Sequence, residues 1–217
     1  MTKNKLIVFD LDNTLITGNI WEQFNTSLGV TKEQDRELYS AFATNEINYE
    51  QWLSELKKLY QLDTNKHTKA QVLEYLTEYQ LQPDALTVLQ SLTNSGYDVL
   101  LLAGSFQMTA DAVAFELGID TAIATTTCMF DESEMLYDLH SKGNERDTKV
   151  QLLQEYCSAH DLLLSDCIVV GSGGNNLALF AAVDLSITFS SSNQELRAAA
   201  THVVQNLSEA AALISQL

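Results

Sequence analysis

The chain has 217 residues, 46% of them hydrophobic, and a formal net charge of −17. That length suits one α/β core with an inserted subdomain, and the composition excludes a disordered or fibrous chain. So negative a balance argues against nucleic acid or an anionic membrane as partner, and it obliges any site for a phosphorylated ligand to supply its own positive charge.

The first element is read in Lys5-Leu6-Ile7-Val8-Phe9, where an apolar run rich in β-branched residues marks a strand buried on both faces. It ends in Asp10-Leu11-Asp12-Asn13-Thr14. Alternation puts Asp10 and Asp12 on one side and turns Leu11 toward the packing. Two carboxylates so close repel each other and call for a cation, a shared proton or an electrophile between them. In an open α/β sheet, ligands bind beyond the carboxyl ends of the strands, where Asp10 falls. A plain strand end, with Asp12 capping a following helix, fits the same letters.

From Thr17 to Gln82 the periodicity is helical, with Ile20, Trp21 and Phe24, then Leu38, Tyr39 and Phe42, then Trp52, Leu53, Leu56, Leu59 and Tyr60 as apolar faces. The two tryptophans read as core anchors. Pro83 is expected in the first turn of a helix whose buried face is Val88, Leu89 and Leu92, closed by Asn94-Ser95-Gly96. A buried strand over Tyr97–Ala103 follows, then a loop Gly104-Ser105-Phe106-Gln107 and a helix from Met108 to Leu117. A loop of that kind at a helix start can seat a phosphate or be an ordinary turn. Ile119–Thr126 reads as a strand and Met129–Tyr137 as a hairpin-like excursion. Asn144 caps a helix carrying Val150, Leu152, Leu153 and Tyr156. Cys167–Gly171 is a further strand, running into the small polar loop Ser172-Gly173-Gly174-Asn175-Asn176. Leu185–Phe189 is the last strand, and residues 193–217 form closing helices. Cys128, Cys157 and Cys167 lack metal-ligand spacing and are expected as buried free thiols. No secretory leader or membrane span is read, so a cytoplasmic protein is expected.

Phe9-Asp10-Leu11-Asp12-Asn13-Thr14-Leu15 resembles the first motif of the haloacid dehalogenase (HAD) superfamily, and Ile47–Leu53 and His202–Glu209 are similar to segments of its phosphoserine-phosphatase-like branch. The resemblance implies an α/β fold: a HAD-like Rossmannoid core over residues 1–16 and 83–217, a parallel sheet flanked by helices, with a small helical cap inserted over 17–82. It implies Asp10 as the nucleophile that accepts the phosphoryl group and Asp12 as general acid/base. Thr14, Gly104, Ser105 and Lys149 would hold phosphate, and Asp10, Asp12, Ser172 and Asn176 would surround Mg²⁺. A small phosphorylated metabolite is the implied substrate.

Three motifs depart from the family pattern. Ala103 stands at the serine of the second motif, with Ser105 two residues on; its hydroxyl serves only if the chain is re-routed there. Glu145 stands at the lysine of the third, a charge reversal. Lys142, Arg146 and Lys149 are near it, and Lys149 lies one helical turn on, facing the same way. A solvated lysine is the other fate open to it. Ser172 and Asn176 replace the two aspartates of the fourth motif, which weakens any affinity for Mg²⁺. Asp184 is a carboxylate that could fold in to compensate. Asn19 and Ser54 replace a glutamate and an arginine that serve phosphoserine recognition. These losses favour a weak hydrolase or, as the alternative, an inactive binding or regulatory protein.

Overall fold

The computed structural model describes residues 6–216; Lys5 and Leu217 of the segments named above lie outside them. The first strand, β1 (Leu6–Phe9), is completely enclosed. The chain then leaves the sheet through a two-residue strand, β2 (Ile16–Thr17), passes through four helices, and returns through β3 (Gln80–Leu81), antiparallel to β2. That ribbon lies where only helix was expected, because two residues carry no readable period. The helices are α1 (Ile20–Ser27), α2 (Lys32–Ala43), α3 (Tyr49–Tyr60) and α4 (Lys69–Thr77).

Three of these helices open on a reciprocal cap: Thr31 with Gln34, Asn48 with Gln51, and Thr68 with Gln71. Each satisfies two otherwise orphaned backbone N–H groups and is worth ~1 kcal/mol. Trp21, Phe24, Trp52, Leu56 and Tyr60 form the apolar centre of the segment and are continuous with one face of the sheet. Helix α2 contributes least, with no buried residue and Tyr39 60% exposed, so its expected apolar face is only a partial one.

Pro83 precedes the N-cap Asp84 rather than sitting inside the first turn of α5 (Ala85–Asn94). Next come β4 (Asp98–Phe106), α6 (Gln107–Leu117) and the antiparallel pair β5 (Thr121–Phe130) and β6 (Leu136–Ser141). Helix α7 (Glu145–Ala159) leads to β7 (Cys167–Val170), α8 (Leu177–Ala182) and β8 (Leu185–Phe189). The closing segment holds α9 (Gln194–Ala199) and α10 (Leu207–Ile214), with a short strand β9 (His202–Val204) between them in place of uninterrupted helix.

The main sheet runs β6-β5-β4-β1-β7-β8-β9, parallel except for the β5–β6 edge. Alternation along β1 divides the core: Ile7 and Phe9 belong to the face shared with the inserted helices, whereas Leu6 and Val8 belong to the face covered by Leu152 and Leu153 of α7. Asp10 has the parity of Leu6 and Val8. Its side chain therefore leaves the strand on the α7 face, and α7 is the helix that carries Lys149. All three cysteines are buried free thiols. No helix among the described residues is long and apolar enough to cross a membrane.

Candidate active site

The site forms beyond the carboxyl end of β1, between its two neighbours β4 and β7. Asp10 is 3% exposed and Lys149 is fully buried. Lys149 Nζ donates to Asp10 Oδ1 at 2.8 Å and to Asn176 Oδ1 at 2.7 Å, while Asn176 Nδ2 donates to Asp10 Oδ2 at 2.6 Å and to the Gly173 carbonyl at 3.1 Å. The amide orientation of Asn176 is dictated by its partners: an ammonium only donates and a carboxylate only accepts, so a flipped amide would fail with both. Gly171 makes the fold-back possible, because a Cβ there would lie 2.7 Å from Asn176 Nδ2. The side chain opposite Asp10 is thus Lys149, not a solvated lysine; Lys142 and Arg146 are exposed.

Asp12 is held differently. A left-handed Asn13 (φ 55°) turns the chain, and Ile20 N–H at the start of α1 donates to Asp12 Oδ1 at 2.9 Å. Burial pushes the Asp12 carboxyl up to about 7; the Ile20 bond pulls against that, and the charges of Asp10 and Glu145 add to it. Its backbone carbonyl accepts from Ser172 Oγ at 2.9 Å, and the buried Thr14 hydroxyl donates to Ser172 Oγ at 3.2 Å.

The second-motif region differs from its sequence reading. Gly104 and Ser105 lie in strand β4, not in a loop. Between the pairs Ala103–Ala124 and Phe106–Thr126, β4 carries one residue more than β5, a bulge that turns Phe106 inward against Trp21 and Phe24. Ser105 is fully buried. Its hydroxyl is near enough to steady the Asp12 carboxylate, yet no group meets it at hydrogen-bonding geometry.

Glu145, the charge reversal at the third motif, has partners of its own in the site. Its Oε1 accepts from Trp21 Nε1 at 2.8 Å and its Oε2 from Asn175 Nδ2 at 3.0 Å. Trp21 Nε1 also donates to the Gly104 carbonyl at 3.2 Å. A Cβ on Gly104 would come within 2.5 Å of Glu145 Oε2, so the carboxyl rests directly on that glycine. Burial pushes Glu145 up to about 7, against the Asn175 and Trp21 bonds and the Lys149 charge. Asp184, offered as the compensating carboxylate, is exposed just before β8, at the opposite end of the strands. Asn19 caps α1 through Glu22 N–H, and Ser54 is exposed on α3.

A family model described as haloacid dehalogenase-like hydrolase matches residues 4–184. The chain belongs to the haloacid dehalogenase-like hydrolases. Within that family it falls in the phosphoserine-phosphatase-like branch. It is 29% identical over 200 residues to a phosphoserine phosphatase of Streptomyces coelicolor, an alignment covering 92% of this chain and 47% of that protein. The chain thus spans about half the length of that relative. It is 26% identical over 188 residues to the phosphoserine phosphatase of Methanocaldococcus jannaschii, with 86% of each chain covered. Among solved structures, a phospho-aspartyl intermediate analogue of phosphoserine phosphatase superposes with a TM-score of 0.79 at 23% identity, covering 96% of this chain and 97% of that one. That likeness is one of fold.

Mg²⁺ is the cofactor the family implies, and the residues of this HAD-like hydrolase do not fit it. Both Asp10 oxygens are engaged by N–H donors, the Asp12 carbonyl by the Ser172 hydroxyl, and the Asn176 oxygen by an ammonium. A hard divalent cation needs several free, preferably charged oxygens. No group of three or more His, Cys, Asp or Glu side chains among the described residues is placed to hold a metal ion.

Proposed function

We propose that this protein is a slow phosphomonoester hydrolase working through an aspartyl-phosphate on a small phosphorylated metabolite. The observation that carries this reading is the pairing of two unlike carboxyls on one strand end. Asp10 is held as a carboxylate against Lys149, and Asp12 is poised near neutrality by burial. Each Asp10 oxygen keeps a lone pair beyond the one its N–H donor occupies, so attack on phosphorus is still open to it. As the phosphorus–oxygen bond to the leaving group breaks, protonated Asp12 gives that oxygen its proton. The resulting carboxylate then takes a proton from the water that attacks the aspartyl-phosphate, returning Asp10 to its starting state. Lys149 supports the phosphoryl oxygens, while the Thr14 and Ser172 hydroxyls brace the Asp12 backbone carbonyl. Turnover is slow because such catalysis is mainly electrostatic, and Lys149 is the cation facing Asp10 while Glu145 adds a carboxyl nearby.

A second reading, a binding or regulatory protein without turnover, draws on Glu145. Its carboxyl occupies two donors, Trp21 and Asn175, that could otherwise meet an anionic ligand. A turnover screen over phosphorylated metabolites, with Asp10→Asn as the control, decides between them. Hydrolysis abolished by the substitution establishes the first reading. Wild-type rates no higher than those of Asp10→Asn on every compound overturn it in favour of the second.

A further inference from the structure

The oxygens that would have to hold a divalent ion in this cleft are already engaged by protein donors. Lys149 is fully buried on α7, whose inner face packs on the sheet through Leu152 and Leu153. Two of its three N–H donors go to Asp10 Oδ1 and Asn176 Oδ1, and the amide returns the link to Asp10 Oδ2. The result is a closed ring in which one positive charge faces one negative charge. A dication entering it would have to share Asp10 with two N–H donors and lie beside an ammonium, with neutral Asn176 where a second carboxylate would be needed. The other ligand position is shut independently: Ser172 Oγ donates to the Asp12 carbonyl and is itself braced by Thr14.

We infer that the Lys149 ammonium, oriented by Asn176, is the resident cation of this cleft and that the site assembles without a divalent metal. Lys149 leaves a third N–H for an oxyanion, which is the share of the work a metal would otherwise take at the phosphoryl group. The inference concerns the charge in the site, so it holds whether turnover is slow or nil.

The test is thermal melting of the full chain in EDTA and in millimolar MgCl₂, for wild type and for variants. The wild-type midpoint should be the same in both. The double substitution Lys149→Met with Asn176→Asp removes the cation and supplies a carboxylate, and its midpoint should rise with Mg²⁺ concentration. Where that variant does not fold, Lys149→Gln with Asn176→Asp, which also removes the ammonium and supplies a carboxylate, should show the same rise. A wild-type midpoint that climbs with Mg²⁺ and loses the climb on Asp10→Asn overturns the inference. So does a folded variant with no response to Mg²⁺, since the metal would then be excluded by something other than these side chains. Melting is read separately from hydrolysis, so an inert wild type with no Mg²⁺ response sinks the hydrolase reading and leaves this one standing.

Discussion

Replacing Glu145 with glutamine should change stability in opposite senses at low and high pH. The carboxyl is half-buried, held by two N–H donors, and pushed up from 4.5 to about 7 by burial. An acid whose folded value is raised holds its proton more tightly in the folded state. Its favourable contribution is therefore complete below about pH 4.5, falls as pH rises, and is gone above about pH 7. At about 1.4 kcal/mol per pH unit, ionising it in place costs the fold ~3 kcal/mol, and access of water to a half-buried group brings this nearer ~2 kcal/mol. Glutamine carries no charge, but it turns an N–H₂ toward Trp21 or Asn175, both of which are donors, and loses one hydrogen bond worth ~1 kcal/mol. Urea unfolding should find Glu145→Gln slightly less stable than wild type at about pH 5 and more stable by ~1 kcal/mol at about pH 8. Asp12, whose carboxyl the Glu145 charge helps push up, is partly relieved in the variant, which adds to the high-pH gap in the same direction. A stability gap that stays constant between the two pH values would refute the reasoning.

Lys149→Met alone leaves Asp10 charged, buried and without its ion pair, and should cost ~3–5 kcal/mol in urea unfolding. Adding Asp10→Asn to that variant should recover a large part of the loss, a coupling that a double-mutant cycle reads directly. Gly104→Ala places a Cβ 2.5 Å from Glu145 Oε2 and Asn175 Nδ2. It should destabilise by ~1–3 kcal/mol and, by expelling the Glu145 carboxyl, erase the pH-dependent gap described above.

The strand of β-branched residues ending in Asp10 was legible because a run buried on both faces is apolar without interruption, and the alternation of β1 then fixed which helix Asp10 would face. Lys149 was legible for a related reason: one helical turn from Glu145 is enough to place a side chain on the same face. Ser105 was harder. A bulge is a single inserted residue, and nothing in Leu102-Ala103-Gly104-Ser105-Phe106 marks which residue is the extra one, so the letters alone fit a loop as well as a strand. The partners of Glu145 are not legible from the motifs, since they are Trp21 and Asn175, which lie 124 and 30 residues away in sequence. The signal that could have exposed them is the coincidence of an indole, an amide and a glycine at positions flanking the motifs. The short strands β2, β3 and β9 are fixed by pairing partners rather than by their own composition, and so left no trace in the periodicity.

The chain has two tryptophans, and their rings lie 5.1 Å apart in an edge-on arrangement. One of them, Trp21, spends its N–H across the boundary between the inserted helices and the sheet. The protein therefore carries a native optical gauge of that boundary. Any compound that prises the two parts open strips the indole of both acceptors and admits water to it. The red shift of intrinsic emission that follows would let ligands be ranked without a label and without knowing what reaction, if any, they undergo.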